Sequence, residues 1–133
     1  MASVREVTDF KGSIDGAGYK TSMDDPKKLP LWLVPVALIM AVAAVLAFGA
    51  KKYASNNWRK GMKWSEVYSA LQRHLNAWQD GEENDPESGL SHLWHGACCL
   101  AFLIEYSAHR KLYGKFDDRF QRPAPTVEQE ASP

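Results

Sequence analysis

From Leu29 to Ala50 the chain carries no Asp, Glu, Lys or Arg, and an uncharged run of that length meets the requirement of roughly 20 residues for a transmembrane helix. Two prolines argue against a span. Pro30 and Pro35 stand inside the run, and Pro35 fits the first turn of a helix that begins beside it. What remains, about Val36 to Phe48 ahead of Gly49, is roughly 20 Å of helix against a hydrocarbon layer of roughly 30 Å. Lys27 and Lys28 on one side and Lys51 and Lys52 on the other give no asymmetry with which to orient a span. Alanines at 37, 41, 43, 44, 47 and 50 suit close helix packing in water as well as in lipid. A helix apolar all round must still be covered, and a small domain has few positions enclosed on every side. The expectation is therefore a homo-oligomer, a dimer or a dimer of dimers, with one helix face inside the subunit and another against a symmetry mate. The rival reading is a small membrane-tethered binding protein with a single N-terminal span.

The chain has 133 residues, which suits one domain able to bury a core without disulfide or metal staples. Sixteen basic residues balance sixteen acidic ones, so the basic face that a nucleic-acid polymer needs as partner is missing. Cys98 and Cys99 are adjacent in a stretch that reads as helix. Their side chains diverge by about 100° and cannot easily bridge, so two small buried thiols in a reducing compartment are expected. Residues 1 to 28 have no apolar segment of signal-peptide type. The expected setting is cytoplasmic, with no membrane partner.

Along the chain, residues 1–25 read as an irregular N-terminal arm with Gly12, Gly16 and Gly18, residues 26–121 as a helical domain, and 122–133 as a disordered tail rich in Pro and Glu. The fold class is all-α. After the apolar helix comes a polar connection, Asn56 to Met62. A second helix is expected from an N-cap at Ser65 to near Gly81, with Trp64, Tyr68, Leu71, Leu75 and Trp78 as one apolar strip and His74 at its edge. A third is expected from about Ser88 to His109. It has Leu90, Leu93, Trp94, Ala97, Ala101 and Ile104 on one face, and His92, His95, Cys99, Phe102 and Tyr106 on another.

Chemistry concentrates between the second and third helices. Asp80, Glu82, Glu83, Asp85 and Glu87 crowd into one loop, and His92 and His95 follow at i, i+3 on one helix face. Crowded carboxylates repel unless solvent or a cation neutralises them, and Mg²⁺ or Mn²⁺ accepts such oxygen donors. An acidic loop is also often simply solvated, and a histidine pair often simply packs. A second cluster, Lys52, Asn57, Trp58, Arg59 and Lys60, combines phosphate-binding cations with an amide and an indole suited to a base. Positive charge is equally at home at an ordinary helix C-terminus.

The strings FGAKKYASNNWRKG, LQRHLNAW and GEENDPESGLSHLWHGACC resemble the phage dATP/dGTP diphosphohydrolases, MazZ-like members of the MazG and HisE class. That resemblance, over about residues 24 to 107, implies a MazG-like helical bundle in an obligate oligomer. It implies Mg²⁺- or Mn²⁺-dependent hydrolysis of a purine deoxynucleoside triphosphate, dGTP or dATP, to monophosphate and pyrophosphate. The dGMP would enter 2-aminoadenine nucleotide synthesis. On this reading Glu82, Asp85 and Glu87 are catalytic and bind metal with His92 and His95. Lys52, Arg59 and Lys60 hold phosphates, Asn57 and Trp58 meet the base, and His74 faces the substrate. The general MazG pattern places two carboxylate pairs on helices, whereas Glu82 and Asp85 keep that spacing only in a loop. A non-catalytic nucleotide sensor is the further alternative. If the oligomer reading holds, light scattering of the purified chain at micromolar concentration gives a mass at least twice that of one subunit; a monomer would contradict it.

Overall fold

The computed structural model describes residues 27–124 and divides into two units, Met1–Pro35 and Val36–Pro133. In the first, a 3-10 turn at Leu31–Leu33 is closed by the Leu33 N–H donating to the Pro30 carbonyl at 3.0 Å. The second contains helices α1 (Val36–Lys52), α2 (Trp64–Gln79), α3 (His92–Ala108) and the short α4 (Arg110–Tyr113). Among the described residues there is no strand, only an isolated bridge between Asn84 and Ser91, so the all-α expectation holds. The expected arm, 1–25, and most of the expected tail lie outside the described residues.

Helix α1 starts directly after Pro35 and runs through Gly49 to Lys52, a turn beyond the expected end. Gly49 is tolerated within the helix, and its carbonyl accepts the Tyr53 N–H at 2.8 Å. Lys51 and Lys52 then lie in the last turn, where the helix dipole favours positive charge. No helix among the described residues is long and apolar enough to cross a membrane. Only Ala41 of α1 is buried, and Leu38, Ile39 and Met40 are exposed.

Helix α2 is amphipathic as expected, with two local differences. Lys63, not Ser65, is the N-cap residue. Ser65 lies in the first turn, where the Asp118 carboxylate accepts both its N–H (2.9 Å) and its hydroxyl (2.5 Å). A distant carboxylate thus does the capping that a local side chain was expected to do. The buried strip runs Trp64, Val67, Leu71, while Tyr68 is exposed. A first step of three residues, not four, turns Val67 inward.

Helix α3 packs against both α1 and α2. It begins at His92, four residues later than expected, because Ser91 is the N-cap and its hydroxyl accepts the Leu93 N–H at 3.1 Å. Of its two apolar faces, the one with His92, Cys99 and Tyr106 is buried, together with Gly96 and Cys98. On the other, Leu93, Trp94 and Ile104 stay exposed. Both cysteines are free and buried, and burial pushes the Cys98 thiol up to about 12.

The segment after α3 adds elements that sequence periodicity did not reveal: α4 and a 3-10 turn at Gly114–Phe116. Tyr113 and Phe116 join the cluster of Trp64, Val67, Leu71, Cys99 and Tyr106. The fully buried Tyr106 donates its hydroxyl to the Trp58 carbonyl at 2.6 Å, and Tyr113 donates to the Arg59 carbonyl at 2.8 Å. These bonds secure a 3-10 turn at Asn57–Lys60. The turn opens with Asn56 at φ 62° and leaves through Gly61 at φ 99°. A Cβ at Gly61 would lie 2.1 Å from the Phe116 ring. Gly61→Ala is therefore expected to cost about 2–4 kcal/mol through backbone strain plus overpacking. Urea denaturation measures it, and Phe116→Leu in the same chain should recover part of the loss by relieving the overpacking alone.

Candidate functional site

The C-terminal end of α1, the Asn57–Lys60 turn, α2, the acidic loop and α3 surround a cavity of about 550 Å³. On its polar side are Lys52, Asn57, Arg59, His74, Asp85 and His95, with Glu87 beside them. Phe48, Met62, Trp58 and Phe102 supply an apolar wall. The two clusters singled out from the sequence, one basic and one acidic with histidines, thus face a single space. Lys60, Glu82 and His92 do not line it.

The histidines converge because α2 and α3 pack side by side and each turns its titratable residues toward the other. The His74 ring stacks on His95 at 4.5 Å between centroids, 7° from parallel. His74 Nδ1 lies 2.9 Å from His92 Nδ1. Behind His92, which is 4% exposed, Glu82 Oε1 contacts Nε2 at 2.6 Å. One donor atom from each of His74, Asp85 and His92 lies within 4.8 Å of the other two, so these three side chains are able to share one cation. His95 is held differently: its Nε2 lies 2.6 Å from the Ser88 hydroxyl and 3.9 Å from Asp85 Oδ2.

The loop holds Asp85 by a turn that its own side chain closes. Asp85 Oδ2 accepts the Ser88 N–H at 3.0 Å, and its carbonyl accepts the Gly89 N–H at 2.7 Å with Gly89 at φ 72°. The Ser88 hydroxyl also accepts the Leu90 N–H at 3.1 Å. Ser88 was not recognised from the sequence, although an Asp followed three residues later by Ser ahead of a Gly is the local signal of such a turn.

On the basic side, Arg59 is oriented by Nε donating to Asn56 Oδ1 at 3.1 Å and by Glu105 Oε1 3.6 Å from its guanidinium. The guanidinium lies over the Trp58 ring at 4.4 Å, and the indole stacks on Phe102 at 4.7 Å. Trp58 is therefore part of the wall as much as a free stacking surface. Lys52 pairs with Glu87 across the rim.

The family described as "dATP/dGTP diphosphohydrolase, N-terminal" matches residues 19–119. A protein of Salmonella phage PMBT28 named "dATP/dGTP diphosphohydrolase" is 36% identical over 80 residues, 60% of this chain. The match spans only 27% of that relative's length. No solved structure matches the chain.

Burial, and then the neighbouring His95 and His92, lower the proton affinity of His74. Burial likewise lowers that of His95, against the opposing pull of Asp85. For Asp85, burial would raise the carboxyl, but the Ser88 hydrogen bonds and nearby imidazoles hold it below its ordinary value. The fold thus favours neutral His74 and His95 beside an ionised Asp85. As pH falls through the ordinary histidine value of 6.5, the unfolded chain gains protons that folded His74 and His95 resist, so stability declines. The Asp85 contribution is present above 3.8 and is lost only in stronger acid. The thermal midpoint of the cation-free chain should accordingly be lower at about pH 5.5 than at about pH 7.5, with a smaller difference in His95→Gln. A midpoint unchanged across this interval would contradict the assignment.

Proposed function

We propose, from the premise that this chain belongs to the dATP/dGTP diphosphohydrolase N-terminal family, that its cavity hydrolyses a purine deoxynucleoside triphosphate between the α and β phosphates. The observation that carries this reading is the meeting of Lys52 and Arg59 with Asp85, Glu87 and His95 around one space. About 550 Å³ falls within the range of roughly 300–1,000 Å³ usual for small-molecule sites. A polyphosphate carries several negative charges and needs fixed cations. A base and sugar need the apolar cover that Phe48 and Met62 offer.

In this reading Arg59, pre-aimed by Asn56 and Glu105, binds phosphate oxygens, and Lys52 exchanges its Glu87 partner for the substrate. Asn57, at the start of the turn, contacts the base. His74, Asp85 and His92 hold a divalent cation, with Glu87 on the rim beside them. Such a cation would supply charge neutralisation to the triphosphate. The residues fit it, since one donor atom from each of the three side chains gathers at the same junction, and burial disfavours the protonated form of His74. Water attacks the α phosphorus, the α–β anhydride bond breaks, and its electron pair leaves on pyrophosphate. The water proton passes to a nearby acceptor, and Asp85 and His95 are the groups placed for this. Lys60, which does not line the cavity, contributes no more than general charge.

Incubation of the purified chain with dGTP or dATP and Mn²⁺, with products resolved by chromatography, is expected to yield monophosphate and pyrophosphate. Asp85→Asn should lower kcat by about 10²-fold or more, and Arg59→Ala should lower kcat/KM by a similar factor. Binding of dGTP without pyrophosphate release would instead identify a nucleotide sensor. Activity of Asp85→Asn equal to that of the native chain would remove the carboxylate from the mechanism.

A further inference from the structure

In the substrate-free chain, few carboxylates of the surrounding loop are left to serve a cation at the helix junction. Glu82 is engaged with His92, and Glu87 is exposed and paired with Lys52. The set that remains is two imidazole nitrogens and one carboxylate. We infer that the His74–Asp85–His92 cluster takes a first-row transition cation of the Mn²⁺, Co²⁺ or Zn²⁺ kind in preference to Mg²⁺, with Glu82 as the positioning residue that aims His92 at it. The inference rests on the reading above only in that the cluster holds a cation.

The argument starts from Glu82. An ionised carboxylate is only an acceptor, and its Oε1 lies 2.6 Å from His92 Nε2. The proton of a neutral His92 therefore belongs on Nε2, which leaves the Nδ1 lone pair facing His74 Nδ1 at 2.9 Å. At that separation no more than one of the two Nδ1 atoms can carry a proton. Because His92 is almost fully buried, water does not offer its ring another orientation. A carboxylate behind an imidazole, with a cation before it, is a common way in which proteins fix the tautomer and raise the basicity of a ligand.

Cation choice follows from donor chemistry. Mg²⁺ prefers an octahedron of oxygens and surrenders water reluctantly. Imidazole suits the later first-row metals, with affinity rising from Mn²⁺ toward Cu²⁺. A half-buried junction offering two nitrogens and one carboxylate presents Mg²⁺ with little that it prefers.

The test uses the full chain and metal alone, without nucleotide. Free Mn²⁺ is followed by its electron paramagnetic resonance signal, and Co²⁺ by visible absorbance, each with Mg²⁺ as competitor. The native chain should bind Mn²⁺ in the presence of a large excess of Mg²⁺. Glu82→Ala should weaken Mn²⁺ binding by roughly 10–100-fold with the circular dichroism unchanged. Glu82→Gln, whose amide oxygen still accepts from Nε2–H, should recover part of that loss. Displacement of Mn²⁺ by an equal concentration of Mg²⁺ would overturn the selectivity. Native-like Mn²⁺ affinity in Glu82→Ala, or in Glu82→Gln should the alanine variant not fold, would overturn the positioning role. The two readings fail separately. Selective Mn²⁺ binding with no pyrophosphate release from dGTP or dATP sinks the hydrolytic proposal alone. Pyrophosphate release with equal binding of Mg²⁺ and Mn²⁺ sinks only the inference made here.

Discussion

A buried hydroxyl bound to a backbone carbonyl joins the helical core to the rim of the cavity. Tyr106 is fully enclosed and donates to the carbonyl of Trp58; without that bond its buried hydroxyl would be left unpaired, at a cost of about 1–3 kcal/mol. The turn that it secures carries Asn57 and Arg59, and Tyr113 repeats the arrangement one carbonyl later. The same stripe of α3 that supplies this anchor supplies His92 and His95 about three to four turns earlier. Core packing and site chemistry are thus two ends of one helix face, and a shift of α3 along its axis would disturb both.

The cavity has two electrostatic regimes. At its exposed rim, Lys52 and Glu87 are each in contact with solvent, so their pair adds little stability and is easily parted. In the junction between α2 and α3, burial disfavours protonated His74 and His95, while the Ser88 hydrogen bonds hold Asp85 ionised against its own desolvation. Division of this kind suits a site that binds anions at its mouth and cations deeper in.

Local pattern carried much of the architecture. The period of Trp64, Leu71 and Leu75 was enough to identify α2, and the i, i+3 spacing of His92 and His95 with His74 on the neighbouring strip was enough to anticipate their convergence. The buried face of α3 was less legible, because both of its faces are apolar and composition cannot say which one meets the rest of the chain. Glu82 read as one acid among five; its place behind His92 depends on how the loop folds back, with the His92 N–H on the Glu83 carbonyl at 3.0 Å. The tyrosine anchors and the Asp118 cap were invisible for a simpler reason. They join residues about fifty positions apart, and no periodicity records such a pairing.

That separation has a consequence for the order of assembly. Trp58 waits for Tyr106, Arg59 for Tyr113, and the start of α2 for Asp118. While the polypeptide emerges from the ribosome, helices can form as they appear, yet the basic turn has only its local hydrogen bonds until these distant partners have been made. Loop closure over such distances is slow compared with helix formation. The mouth of the cavity is therefore the last part to set, and a chain that stops short of residue 113 would have folded helices around an unfinished opening.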